Sequence, residues 1–207
     1  MHNETLRPES TPTGQSDFRP VVNSSTVTHS EGTLLDKYGR RISYVRLSIT
    51  DRCDFRCTYC MAEEMTFLPR HEVMSLEECL RVASIFVGLG VNKLRITGGE
   101  PLVRKDVMWL IERLGILPGL DNLVLTTNGS QLDRFAAPLR AAGVKRINIS
   151  LDSLDAGQYA GLTGGGQLSV VLEALERAAA ARVNVKVNAV LLAETRNQIV
   201  KLAELAQ

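Results

Sequence analysis

Residues 44–61, YVRLSITDRCDFRCTYCM, decide how this 207-residue chain is read. The first seven, Tyr44 to Thr50, alternate β-branched and aromatic residues with polar ones, a pattern that fits a pleated, half-buried strand. Cys53, Cys57 and Cys60 follow at once, spaced C-x3-C-x2-C in a single loop. A strand running into a ligand-bearing loop is the repeating unit of parallel α/β barrels, where chemistry collects at the C-terminal strand ends.

Further strands are expected at Lys93 to Thr97, Leu123 to Thr127, Arg146 to Leu151 and Asn184 to Val190. Helical patterns lie between them. Ser75 and Glu78 form a capping box for a helix whose Leu76, Cys79, Leu80, Ala83 and Val87 share one face. Others are expected at about Asp106 to Leu114, Leu132 to Ala142, Leu168 to Ala181 and from Asn197 onward. Five alternations predict an α/β fold with a parallel sheet, a partial (βα) barrel of about five units over residues 34–207. Its strand ends carry TDRC (50–53), TGGEP (97–101), TTNG (126–129) and SLDS (150–153), so one rim gathers the polar residues. Residues 1–33, rich in Ser, Thr and Pro without an apolar period, read as a disordered tail.

Charge narrows the function classes. Lys plus Arg is 24 against 23 for Asp plus Glu, a net charge of +1 that supplies no global field for nucleic acid or an acidic membrane. No apolar run reaches the ~18 to 20 residues of a membrane span, and no basic segment leads into one at the N-terminus, so a cytoplasmic protein is expected. Three of the four cysteines fall within eight residues, which favours metal ligation over a disulfide framework. Three thiolates can hold three irons of a 4Fe-4S cluster and leave the fourth open, whereas structural zinc takes four protein ligands. A zinc site would have to recruit His71 or Cys79. The first reads as a loop histidine and the second as an ordinary core thiol.

The cysteine loop, followed after the next strand by GlyGlyGluPro (98–101), resembles the radical S-adenosylmethionine (SAM) superfamily. The resemblance implies a 4Fe-4S cluster on Cys53, Cys57 and Cys60, with SAM bound at its open iron and cleaved to a 5′-deoxyadenosyl radical. It implies SAM contacts from Tyr59, beside the adenine, from the backbone of Gly98 and Gly99, where a missing Cβ allows close approach, and from Glu100 and Ser150. No catalytic residue is expected beyond the cluster and cofactor.

The segments 35–40, 44–61, 93–104, 125–129, 146–153 and 185–190 closely resemble the GTP 3′,8-cyclase (MoaA) family, which opens molybdenum cofactor (molybdopterin) biosynthesis. The resemblance covers residues 34 to about 200. It implies a lyase whose radical removes the ribose 3′ hydrogen of GTP so that the 3′ carbon attacks C8 of guanine. GTP contacts then fall on Arg46, Arg95, Thr126 and Lys186. Because helices cover the outer faces of barrel strands, a strand arginine is expected to point into the lumen, toward a ligand or an internal ion pair. A flavodoxin-like low-potential electron donor is implied as partner.

The sequence departs from the family at Ala62, where proline is usual, and carries no sixth strand, second three-cysteine motif or C-terminal Gly-Gly tail. A shortened form with an unpaired edge after the fifth unit is therefore expected, and a homodimer could form through that edge. Two alternatives stay open: a truncated or degenerate non-catalytic paralogue, and a different radical SAM enzyme such as a peptide maturase.

Overall fold

A computed structural model describes residues 33–62 and 64–206. Apart from Thr33, the expected tail lies outside the described residues.

Five strands form one sheet, β1 (Tyr44–Ser48), β2 (Lys93–Thr97), β3 (Asn122–Thr127), β4 (Val144–Ser150) and β5 (Asn184–Asn188), each matching an expected strand to within two residues at either end. All neighbours pair in parallel in the order β1-β2-β3-β4-β5, so β1 and β5 are the outer strands among the described residues. Sequential order with right-handed crossovers sends every connection over the same face. The helices are α1 (Leu76–Gly88), α2 (Val107–Gly115), α3 (Leu132–Ala141), α4 (Ala156–Thr163), α5 (Leu168–Ala180) and α6 (Ile199–Leu205).

Strand alternation divides the sheet. Leu47, Leu94, Ile96, Leu123, Leu125, Ile147 and Ile149 point to the helices and join one core with Ala83, Val87, Leu110, Leu114, Leu139 and Val171. Each such fully buried aliphatic side chain contributes about 1.5–3 kcal/mol. The opposite positions, Arg46, Arg95, Val124, Thr126, Arg146, Asn148 and Lys186, stand outside that core and line the other face, the lumen.

Both halves of the expected capping box are present: Glu78 N–H donates to Ser75 Oγ at 3.1 Å, and Ser75 N–H to Glu78 Oε2 at 2.7 Å. Cys79 is fully buried on that helix and belongs to the core, while His71 is exposed beside Glu72. Helix α4 was not expected. Asp155 caps it by accepting from Gln158 N–H at 2.8 Å, and Gly164 ends it in the left-handed region at φ +70°. No helix among the described residues is long and apolar enough to cross a membrane.

Candidate cluster and nucleotide site

The loop after β1 is held from three sides. The first clamp comes from the unexpected helix. Carbonyls in the last turn of α4, those of Leu162 and Thr163, accept from Thr58 N–H and Arg56 N–H, both at 2.9 Å, so backbone bonds bracket Cys57. Helix ends leave such carbonyls without intrahelical partners, and here the cysteine loop takes them. Phe55 packs edge-to-face on the buried Tyr159, with ring centroids 6.4 Å apart. The Arg56 guanidinium turns back on the loop and donates to the carbonyls of Cys53 and Phe55 at 2.9 and 2.8 Å.

The loop after β2 makes the second clamp. Gly99 N–H donates to the Thr50 carbonyl and Glu100 N–H to the Arg52 carbonyl, both at 2.8 Å, continuing the β1–β2 ladder past the strand ends. A Cβ on Gly98 would lie 2.6 Å from the Thr50 carbonyl, and one on Gly99 would strike the Arg52 carbonyl. The missing side chains are thus required first by contact between the two loops, a reason the sequence reading did not contain. Glu100 is fully buried, and its carboxylate accepts from Leu102 N–H (2.9 Å), Thr127 Oγ1 (2.8 Å) and Asn128 N–H (2.6 Å). These three donors tie the β2 loop to the β3 loop. Burial outweighs those three donors and pushes its pKa up to about 7.

Tyr59 makes the third. Its hydroxyl donates to buried Asp152 beyond β4, while its ring stays partly exposed on the rim. Burial and that hydrogen bond both push the phenol up, so it remains a donor.

The three thiols are free. Cys53 Sγ accepts from Phe55 N–H at 3.4 Å and from the Asn128 amide at 3.8 Å, and Asp54 holds that amide at 2.7 Å. Burial raises Cys53 and, together with the neighbouring Cys53 and Cys60 sulfurs, raises Cys57 to about 11. Such thiols keep their protons until a metal displaces them. Among the described residues no three His, Cys, Asp or Glu side chains converge on one point as a single ion would require. Zn–S bonds of about 2.3 Å would bring thiolates to about 3.8 Å of one another. A donor set of three thiols within one loop, with N–H groups turned on a sulfur, fits a 4Fe-4S cluster, for which Cys53, Cys57 and Cys60 could serve.

Below the loop lies a band of cations. Arg46 and Arg95 are register partners on β1 and β2, and Thr126, Asn148 and Lys186 are successive partners across β3, β4 and β5. Ion pairs among the described residues are confined to Asp36–Arg40 and His71–Glu72, so Arg46, Arg95 and Lys186 have no carboxylate within 4.0 Å. The expected orientation toward the lumen holds, and no internal ion pair forms among the described residues. Ser150 ends β4 on the same face, two residues beyond Asn148.

A model of the Radical SAM superfamily matches residues 47–206. The chain belongs to the radical SAM superfamily. Members of that superfamily use a 4Fe-4S cluster and SAM. The chain is 57% identical over 164 residues to the GTP 3′,8-cyclase of Pseudomonas savastanoi pv. phaseolicola, covering 79% of this chain and 49% of that protein. It is 52% identical over 174 residues to the GTP 3′,8-cyclase of Rhizobium etli, with 83% and 50% covered. The chain therefore spans about half the length of the curated relatives it matches. Among solved structures, SuiB of Streptococcus suis bound to S-adenosylmethionine superimposes with a TM-score of 0.64 at 20% identity, over 78% of this chain and 37% of that one. Native anSMEcpe with bound AdoMet gives 0.61 at 18% identity, over 78% and 47%. At such identities these two likenesses establish the radical SAM fold and nothing finer.

Proposed function

We propose that this chain performs the radical chemistry of a GTP 3′,8-cyclase, using a 4Fe-4S cluster on Cys53, Cys57 and Cys60 and converting GTP to its 3′,8-cyclic product. One observation carries the GTP reading. Arg46 and Arg95 stand directly opposite one another on adjacent strands, without a carboxylate partner among the described residues. Like charges in register are destabilising, and a polyphosphate that bridges them removes the penalty. A peptide substrate offers no such anion, so the maturase reading is not favoured, and neither is a non-catalytic paralogue with an intact cysteine loop.

When bound, the cluster supplies the electron that splits SAM and produces the radical. The chain's own residues hold and exclude. Tyr59 presents its ring to the adenine, anchored by its hydroxyl on Asp152. Backbone of Gly98 and Gly99, and Ser150 at the end of β4, face SAM from the rim. Glu100 fixes the loops that carry these contacts. Arg46, Arg95 and Lys186 take the triphosphate, and Thr126 Oγ1, buried and without a protein partner among the described residues, takes a substrate oxygen. Cytoplasmic placement, a flavodoxin-like electron donor and a homodimer complete the proposal.

Anaerobic reconstitution should load about four irons and four sulfides per chain. Adding GTP with SAM and a strong reductant should raise 5′-deoxyadenosine above the level without GTP. Stoichiometric zinc without sulfide, or 5′-deoxyadenosine indifferent to GTP, would overturn the proposal.

A further inference from the structure

Among the described residues, five buried side-chain polar atoms have no hydrogen-bond partner: Arg95 Nε, Thr126 Oγ1, Arg146 Nε, Asn148 Oδ1 and Tyr159 Oη. The first four belong to lumen-facing residues of three consecutive strands. Registers fix their relation: Arg95 pairs with Val124 and Val124 with Arg146, while Thr126 pairs directly with Asn148. Each orphaned group is a cost in the unliganded chain, and their concentration on one face marks a polar site that a ligand completes. Arg95 and Thr126 already belong to the proposed GTP site. Arg146 and Asn148 do not.

Arg146 is a third lumen arginine, level with Arg46 and Arg95, and it too has no carboxylate within 4.0 Å among the described residues. Asn148 is 1% exposed and lies two residues closer to the cysteine rim, about 6.6 Å along the strand. Its orphaned atom is a carbonyl oxygen. That atom repels a phosphate and requires a donor. In a nucleoside triphosphate whose phosphates lie level with the arginines, within reach of the long Lys186 side chain that neighbours Asn148 on β5, the group one step nearer the rim is the sugar, whose hydroxyls are donors. We propose that β4 supplies two substrate contacts, the Arg146 guanidinium to a phosphate oxygen and the Asn148 side-chain carbonyl to a ribose hydroxyl.

This inference rests on the GTP reading, so the experiment separates the two. Binding of GTP, 2′-deoxy-GTP, 3′-deoxy-GTP and inorganic tripolyphosphate is measured on the cluster-loaded chain and on Arg95→Gln, Arg146→Gln and Asn148→Leu. Arg146→Gln should weaken GTP and tripolyphosphate alike by about ten-fold. Asn148→Leu should weaken GTP several-fold, leave tripolyphosphate unchanged, and have no effect on one of the two deoxynucleotides. Because it replaces an orphaned polar group by an apolar one of similar volume, it should also raise the melting temperature, which loss of a structural contact would not do. Arg146→Lys and Asn148→Ala serve if either first variant fails to fold. If Arg95→Gln weakens GTP while both β4 variants bind like the parent, the β4 assignment falls and the GTP reading stands. If the parent binds neither GTP nor tripolyphosphate, the GTP reading falls and takes this inference with it.

Discussion

Tyr59 Oη donates to Asp152 Oδ2, and the other oxygen of that carboxylate accepts from Val190 N–H at 2.7 Å. One buried carboxyl thus joins the cysteine loop, the end of β4 and the segment after β5. Tyr59→Phe leaves half of Asp152 buried without a partner and should cost about 1–3 kcal/mol. Asp152→Ala should cost at least as much, and the double variant should fall short of the sum, because both remove the same bond. Melting curves of the four proteins measure the coupling. Strict additivity would mean that the bond does not stabilise the loop.

Glu100 makes stability depend on pH in an unusual direction for a carboxyl. Its pKa rises from 4.5 to about 7 in the fold, so the folded chain holds the proton that the unfolded chain has released. Stability contributed at low pH is therefore lost as pH climbs from about 4.5 to about 7, by on the order of 3 kcal/mol, and is level above that. Glu100→Gln should abolish this slope. It should be less stable than the parent at pH 5, because its amide nitrogen cannot accept from Asn128 N–H, and the gap should close or reverse by pH 8. Melting temperatures of both proteins between pH 4.5 and 8 check the sign. A slope unchanged in the variant would assign it elsewhere.

Gly98 and Gly99 separate two reasons for a glycine. If they only made room for SAM, Gly99→Ala would weaken SAM binding and leave the unliganded chain as stable as before. The Arg52 carbonyl occupies the place of that Cβ, so Gly99→Ala should lower the stability of the metal-free, SAM-free chain by roughly 1–3 kcal/mol. Denaturant unfolding without iron or SAM distinguishes these outcomes.

How much of this was legible in the sequence depended on range. Strand alternation and the Ser75–Glu78 capping box are local patterns, and the elements they predict are present. Helix α4 escaped because Gly157 and Gly161 are poor helix formers and its apolar residues do not line up on one face. The Asp155–Gln158 spacing was the available signal. Arg146 and Asn148 could have been found by stepping back four and two residues from Ser150 along β4. The roles of Glu100, Asn128 and Asp152 could not, because their partners lie 27, 75 and 93 residues away and only the fold brings them together.

The four cysteines should divide three to one by a measurement independent of turnover. Cys57 lies between two backbone bonds to α4 and beside two other thiols, whereas Cys79 is sealed in the α1 core. Cys57→Ser should remove most iron and sulfide from the reconstituted chain while its metal-free melting temperature stays within a few degrees of the parent, since a partly exposed loop thiol contributes little packing. Cys79→Ala should do the reverse, retaining iron and sulfide at the parent level and losing about 1 kcal/mol of stability through a small core cavity. In the metal-free chain, burial and the neighbouring sulfurs push the Cys57 thiol up to about 11, so its alkylation should still be accelerating as pH passes about 10, where an ordinary thiol has levelled off. Iron loss from Cys79→Ala equal to that from Cys57→Ser would make the core thiol a ligand and overturn the three-cysteine site.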